Sequence, residues 1–553
     1  MTRRVVGIVV AVALLVIIPL VPGALAARSA VALIALPAES IVAVIVLALL
    51  PWRRVCILVA ALYAVVVGAG LLAAAADYGY EQSLDIPFDP SNSPQLIDAF
   101  GVLRSSIGAG WAIAVLVGVV VIALGVMVAL AWAALRVAAA VRAPRAPREY
   151  GGDARKPGRA QQRPRTRRGA VIVAGAVVVA WLLAAATGAQ LVPGRPVAAS
   201  ASIDAIGRAA QQATETRQAV AHLPAEIDSD AYAGLPPSQL LTALRGKDVV
   251  FAFIESYGQV AVQGTSFSKG VDQTLRTGQA QLTADGYSAE SAWLTSPTFG
   301  GLSWLAHSTL QTGLWVDKQP IYSQVIRSTR FTLSDAFRKA GWKTVSDVPS
   351  DAQPWPFGTS FYHYDQLLTA NNVGYQGPGF GYARIPDEYT WKYFADHELA
   401  GSHQPVMAEV DLVSSHTPWA PLPQLVPWSA VGDGSIYGPQ PAEGDSAEDV
   451  WRSPAGVQRA YGQSVQYSLG ALFDFLHNAN DPNLVVITLG DHQPATVVSG
   501  AHANHEVPIS IIAKDPSVMK AIGAWHWQAG IRPSSTAPLE RMDAFRDRFL
   551  AAF

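Results

Sequence analysis

The sequence predicts an N-terminal α-helical transmembrane bundle joined to an exported α/β domain, whose mostly parallel sheet is sandwiched by helices. Three observations carry this prediction. Half of the 553 residues are hydrophobic and only 15% are charged, against about 25% in ordinary soluble domains. The N-terminal third holds five long apolar stretches. Beyond residue 247, short apolar runs alternate with helical patterns, as in a sheet covered on both faces.

The apolar stretches lie at about 5–26, 29–50, 54–76, 109–135 and 169–191, each near the roughly 20 residues that cross a bilayer. Basic residues set their orientation. Arg3 and Arg4 precede the first stretch, and Arg53 and Arg54 follow the second. The loop between the fourth and fifth carries ten basic residues, from Arg142 to Arg168. The loop at 77–108 carries Asp77, Glu81, Asp85 and Asp89 instead. Positive charge stays in the cytoplasm, so five spans put residues 192–553 outside. Cleavage after Ala24-Leu-Ala26 would leave four spans and the same orientation. The basic loop reads as a topology determinant beside anionic lipid, and no nucleic-acid partner is expected. Glu39 follows Pro37 within the second stretch, where a carboxylate is costly and often functional; pairing with a neighbouring helix is the plainer reading. The single cysteine, Cys56, excludes an intrachain disulfide and a Cys-rich zinc motif. Residues 1–191 thus form the transmembrane domain, 192–246 a stem, and 247–553 the exported catalytic body. The Ala-, Val- and Arg-rich usage fits a high-GC bacterium, and the apolar stretches predict a multi-pass protein of its cell membrane.

Strand-like runs occur at 248–254, 406–413 and 484–489, with helical patterns at 303–313, 332–340 and 455–478. In parallel sheets the site lies beyond the carboxyl ends of the strands. Glu255, Ser414-Ser415-His416 and Asp491-His492 all follow such ends. Ser303 follows Gly300-Gly301 and opens a helix. The aromatic and Pro-rich stretches at 351–391 and 418–442 read as ordered surface loops that shape a pocket.

A hydroxyl is a weak nucleophile until a metal, a base or a helix N-terminus activates it. Ser303, Glu255, Asp491 and His492 together offer oxygen and nitrogen ligands for one divalent metal: Mn foremost, with Zn or Mg as alternatives. His416 would hold the substrate or protonate a leaving alcohol. His502 and His505 follow closely enough to reach the same pocket, and Trp304 lies beside the nucleophile. Each residue also has a plainer reading: Ser303 as a helix N-cap, Glu255 as a cap or surface charge, the histidines as solvated or structural. Thr298, five residues earlier, is a rival nucleophile.

These residues resemble the sulfatase-like branch of the alkaline phosphatase superfamily. Ser303 is followed by Leu310 and Thr312-Gly313 at the spacing of the sulfatase nucleophile motif. Gly490-Asp491-His492 resembles the closing metal motif, with Gln493 where glycine is usual. The run ending in Glu255-Ser256-Tyr257 is similar to the first metal motif of the membrane-bound transferases, and Ser415-His416-Thr417-Pro418 to the substrate-histidine motif. The resemblance covers roughly residues 247–515. Position 305 is Leu and position 307 is His, so the signal that converts the nucleophile to formylglycine is missing. An unmodified serine suits a phospho-enzyme intermediate. The plan resembles the lipoteichoic acid synthases; the phosphoethanolamine transferases usually carry disulfides, which Cys56 alone cannot supply. The resemblance implies an alkaline-phosphatase/sulfatase-like fold. It also implies transfer of a phosphoglycerol-like head group from a phospholipid donor to a glycan or lipid acceptor of the cell envelope. A phosphodiesterase or sulfuric ester hydrolase, and a catalytically silent membrane scaffold, are the alternatives.

Overall fold

The computed structural model describes residues 2–92, 109–142, 165–192 and 195–553. They form two compact units: Met1–Glu81 with Pro87–Glu215, and Gln82–Ile86 with Thr216–Phe553.

The first unit is helical, with helices at Thr2–Ala26, Ala38–Leu49, Arg53–Leu84, Ala109–Val141 and Arg165–Thr187. Among the described residues three helices are long and apolar enough to cross a membrane: Val5–Ala26, Arg53–Leu84 and Gly110–Val141. The expectation of a full span is corrected at the second stretch. The stretch at 29–50 breaks into a 3-10 turn at Ala30–Leu33 and a 12-residue helix, Ala38–Leu49. Ser29 Oγ accepts from Val31 N and holds the turn. Pro37 stands immediately before the helix. Twelve residues rise only about 18 Å, short of a hydrocarbon core of about 30 Å. The last stretch lies in the 23-residue helix Arg165–Thr187. Most of the basic loop lies outside the described residues; Arg142, at its start, donates to the carbonyls of Leu47 and Leu50 (2.8 Å) at the end of the short helix. Glu39 has a structural role. Its Oε1 accepts from Ser202 N (3.0 Å) and Ile203 N (3.3 Å), capping the Ala201–Asp228 helix with a carboxylate where the helix dipole favours one. The packed interior is rich in small residues, including Cys56, Ala60, Ala64, Ala133 and Ala134, which let helices approach closely.

The second unit is built on a nine-stranded sheet. Its strands are β1 Asp248–Ile254, β2 Ser288–Thr295, β3 Lys343–Val348, β4 Gln366–Thr369, β5 Val406–Leu412, β6 Leu484–Gly490, β7 Glu506–Ala513, β8 Gln528–Ala529 and β9 Leu539–Arg541. The order is β8-β2-β7-β6-β1-β5-β3-β4, with β9 beside β2. Pairings from β6 through β1, β5 and β3 to β4 are parallel; β7 runs antiparallel to both β6 and β2. The central strand β1, Asp-Val-Val-Phe-Ala-Phe-Ile, is buried along its whole length, as a strand covered on both faces must be. Alternate residues serve opposite faces. Val249, Phe251 and Phe253 join a core with Leu305, Phe337, Phe545 and Phe549. Val250, Ala252 and Ile254 join another with Trp391, Leu472 and Phe475.

Two sequence expectations change. The stretch at 351–391 is not all surface loop, since it contains a helix at Pro356–Ser360, strand β4 and the start of the Asp387–His397 helix. The stem is partly body: Leu223, Ile227, Leu240, Leu241 and Leu244 are buried in the first of the two cores. Their apolar spacing was masked by the surrounding Ala, Gln and Pro.

Glu388 opens a testable pH dependence. Its side chain is fully buried, accepting from Tyr437 Oη (2.8 Å) and Val426 N (3.1 Å). Burial pushes its carboxyl up to about 7 from an ordinary 4.5. A carboxyl raised on folding contributes stability below pH 4.5 and loses it as pH rises through about 7. The wild type is therefore expected to lose up to about 3 kcal/mol at this site across that window. Glu388→Gln should flatten that part of the slope, checked by melting temperature of both proteins at pH 5 and pH 7.5; identical slopes would contradict the assignment.

Candidate active site

The carboxyl ends of β1, β5 and β6 deliver Glu255, the Ser414–His416 turn and Asp491-His492 to one edge of the sheet. β2 runs the same way and delivers the turn before Ser303. That turn has three successive positive φ angles: Gly300 (+70°), Gly301 (+155°) and Leu302 (+68°). A leucine in the left-handed region costs roughly 1–2 kcal/mol, strain of the kind found at functional sites. Ser303 is the first helical residue rather than the N-cap, and Leu302 occupies the cap position. The hydroxyl is thus free of capping and turns to the acids.

Ser303 Oγ donates to Glu255 Oε2 at 3.0 Å and lies 3.2 Å from His492 Nε2. His492 Nε2 is 3.4 Å from both Glu255 Oε1 and Asp491 Oδ2. His492 Nδ1 lies 2.8 Å from the Gln493 carbonyl. That bond assigns the proton to Nδ1 and leaves the Nε2 lone pair facing the acids. Asp491 Oδ1 accepts from Ser256 N and His492 N, each at 2.7 Å, while Asp491 Oδ2 is buried with no hydrogen-bond partner. The ligand atoms of Glu255, Asp491 and His492 lie within 4.8 Å of one another. Ser303 Oγ adds a further oxygen to this group, 3.0 Å from Glu255 Oε2 and 3.2 Å from His492 Nε2. An orphaned carboxylate oxygen among them fits a divalent cation. Asp491 is raised by burial and by the Glu255 charge, as expected of two carboxylates sharing one space.

The surroundings fix these groups. Gly490 is required because a Cβ there would lie 1.9 Å from the Tyr257 carbonyl. A Cβ at Gly258 would lie 1.9 Å from Gln493 Oε1, so Gly258 makes the room that the unusual Gln493 fills. Ser415 Oγ donates to the Glu255 carbonyl (2.6 Å) and Tyr461 Oη to that of Ser256 (2.7 Å). Asp387 Oδ1 accepts from Ser414 N (2.9 Å) and Ser414 Oγ (2.8 Å), anchoring the loop that carries His416.

The other sequence candidates are placed variously. His416 stacks on Tyr382 with centroids 3.6 Å apart, and burial lowers its pKa. Thr298 is buried with its hydroxyl 3.5 Å from Ser296 Oγ, paired there rather than with the acids. Trp304 turns its indole N–H to Gln319 (2.9 Å). His505 packs against Phe299, and burial lowers its pKa. His502 is largely exposed and lies 3.9 Å from Asp85.

Sequence reading missed a second assembly. His307 lies one turn beyond Ser303, stacked on Phe253 with centroids 3.8 Å apart. Its Nδ1 is 2.9 Å from Glu409 Oε1 and 3.5 Å from Asp411 Oδ1. Burial opposes the charged ring, but Asp411 and Glu409 outweigh it and raise His307 to about 10. The signal was present: two acids at alternate positions of the apolar strand Val-Met-Ala-Glu-Val-Asp-Leu.

No protein-family model and no curated protein matches the chain. It is similar to several solved structures. The lipoteichoic acid synthase LtaP from Listeria monocytogenes is 15% identical (TM-score 0.34; 58% of this chain, 74% of that one). The Streptococcus pyogenes phosphoglycerol transferase GacH, in complex with sn-glycerol-1-phosphate, is 14% identical (TM-score 0.36; 59% and 78%). The lipooligosaccharide phosphoethanolamine transferase EptA from Neisseria meningitidis is 13% identical (TM-score 0.41; 91% and 84%). These are distant likenesses, and the reading of the site rests on its own geometry.

Proposed function

We propose that this chain is a membrane-tethered phosphotransferase. It takes a phosphoglycerol-like head group from a phospholipid and passes it to a glycan or lipid hydroxyl of the cell envelope through a covalent Ser303 intermediate. The observation that carries this is the Ser303 hydroxyl, uncapped and 3.0 Å from Glu255 and 3.2 Å from His492.

The chain's own groups account for each step. Ser303 Oγ attacks phosphorus, with its proton directed along the hydrogen bond toward Glu255. The phosphorus–oxygen bond to diacylglycerol breaks, and His416 in its protonated form would give a proton to the departing alcohol. An acceptor hydroxyl then attacks the same phosphorus and gives its proton to His416, while Ser303 leaves and regains its own proton from Glu255. Glu255, Ser303, Asp491 and His492 would hold one divalent metal, Mn foremost, whose charge lowers the alcohol pKa and offsets the phosphoryl oxygens. A membrane anchor suits an enzyme whose donor is a lipid, with the catalytic unit on the extracytoplasmic side.

The test is turnover of phosphatidylglycerol vesicles by the full chain with Mn, with and without a glycolipid acceptor. Diacylglycerol release that rises with acceptor and yields a phosphoglycerol-modified glycolipid supports transfer. Equal release of free glycerol phosphate in both would support a phosphodiesterase. Cleavage of an aryl sulfate alone would support a sulfuric ester hydrolase, and no turnover a silent scaffold.

A further inference from the structure

The His307 assembly has no part in the chemistry above. His307 stands four residues after Ser303, on the same helical face. Glu409 and Asp411 stand two apart on β5, on the same sheet face. One ligand atom from each of the three lies within 4.8 Å of the others. Residues outside the trio also hold these side chains in place. The imidazole is fixed on Phe253, and Glu409 Oε2 is fixed by Tyr364 Oη (2.9 Å) and Gln311. Asp411 Oδ1 is buried and has no hydrogen-bond partner. Glu255, Asp491, Glu409 and Asp411 bring four carboxyl groups into neighbouring space. A histidine that gives up its Nδ1 proton can ligate a metal.

We propose that His307, Glu409 and Asp411 hold a second divalent cation, close below the nucleophile's helix turn. One nitrogen and two carboxylates suit Zn or Mn. The cation would take the place of the proton on His307 Nδ1 and brace the Ser303–Thr312 helix against β5. It does not depend on the transferase reading, since its residues are separate from Glu255, Asp491 and His492.

Metal counting decides it. The full chain in detergent is stripped with chelator, titrated with Mn and, separately, with Zn, and its bound metal measured by calorimetry and elemental mass spectrometry. The wild type should hold two equivalents, Asp411→Asn one, Asp491→Asn one, and the double variant none. One equivalent in the wild type, lost in Asp491→Asn and kept in Asp411→Asn, overturns the second site and leaves the Ser303 site intact. No bound metal in the wild type overturns both. Should Asp411→Asn fail to fold, the wild-type isotherm alone decides: two sites support the second cation, and one site overturns it.

Discussion

Ser303→Ala is expected to lower turnover on the order of 10³-fold or more while the protein stays folded. The size follows from the role: without Oγ there is no covalent route, and binding groups alone supply only residual catalysis. Stability should change little. Ser303 is the first residue of its helix and gives no side-chain cap. Its two hydrogen bonds go to Glu255 and His492, groups whose lone pairs crowd one another. Loss of an exposed cap elsewhere would cost about 1 kcal/mol; here even that is absent. The check is steady-state turnover beside a melting curve. Full activity in Ser303→Ala would pass the nucleophile role to Thr298, although its hydroxyl is 3.5 Å from Ser296 Oγ.

Asp491→Asn should abolish turnover and remove one equivalent of bound metal. Asp491 Oδ2 is the buried oxygen without a donor, and it lies 3.4 Å from His492 Nε2. An amide of the same shape keeps the Oδ1 bonds from Ser256 N and His492 N but offers no second anionic ligand. In metal-free protein the variant should be at least as stable as the wild type, because it relieves the Glu255–Asp491 repulsion that raises Asp491. With metal at a hundred times its dissociation constant, the wild type should gain about 2.7 kcal/mol from that site, and the variant should not. Turnover that survives in Asp491→Asn would remove the metal from the account; tight metal binding without turnover in the wild type would point to a silent scaffold.

What was readable in the sequence follows a physical rule. β1, β5 and β6 are continuous apolar runs because both sheet faces cover them, and the residues just past them were readable as an edge. That edge supplied Glu255, His416, Asp491 and His492. β2, with Ser288, Glu290 and Ser291, and β3, with Lys343, Ser346 and Asp347, carry too many polar residues to declare themselves. Their pairing is fixed by partners distant in sequence. Glu409 and Asp411 were hidden for the opposite reason: the strand around them looked like core, and only His307 from another element shows what they face. The membrane count erred where Ser29 and Pro37 interrupt an apolar stretch, since hydropathy does not register a turn. The stem erred because scattered leucines bury as well as contiguous ones once a body is there to receive them.

The central claim is the covalent Ser303 intermediate, and intact and peptide mass spectrometry tests it most directly. The full chain is incubated with phosphatidylglycerol vesicles and Mn in the absence of acceptor, then quenched in acid and digested. The account predicts a phosphoglycerol adduct on the peptide containing Ser303, absent in Ser303→Ala and discharged when acceptor is added. Release of diacylglycerol with no adduct on Ser303 at any time, or an adduct on Thr298 instead, would contradict it.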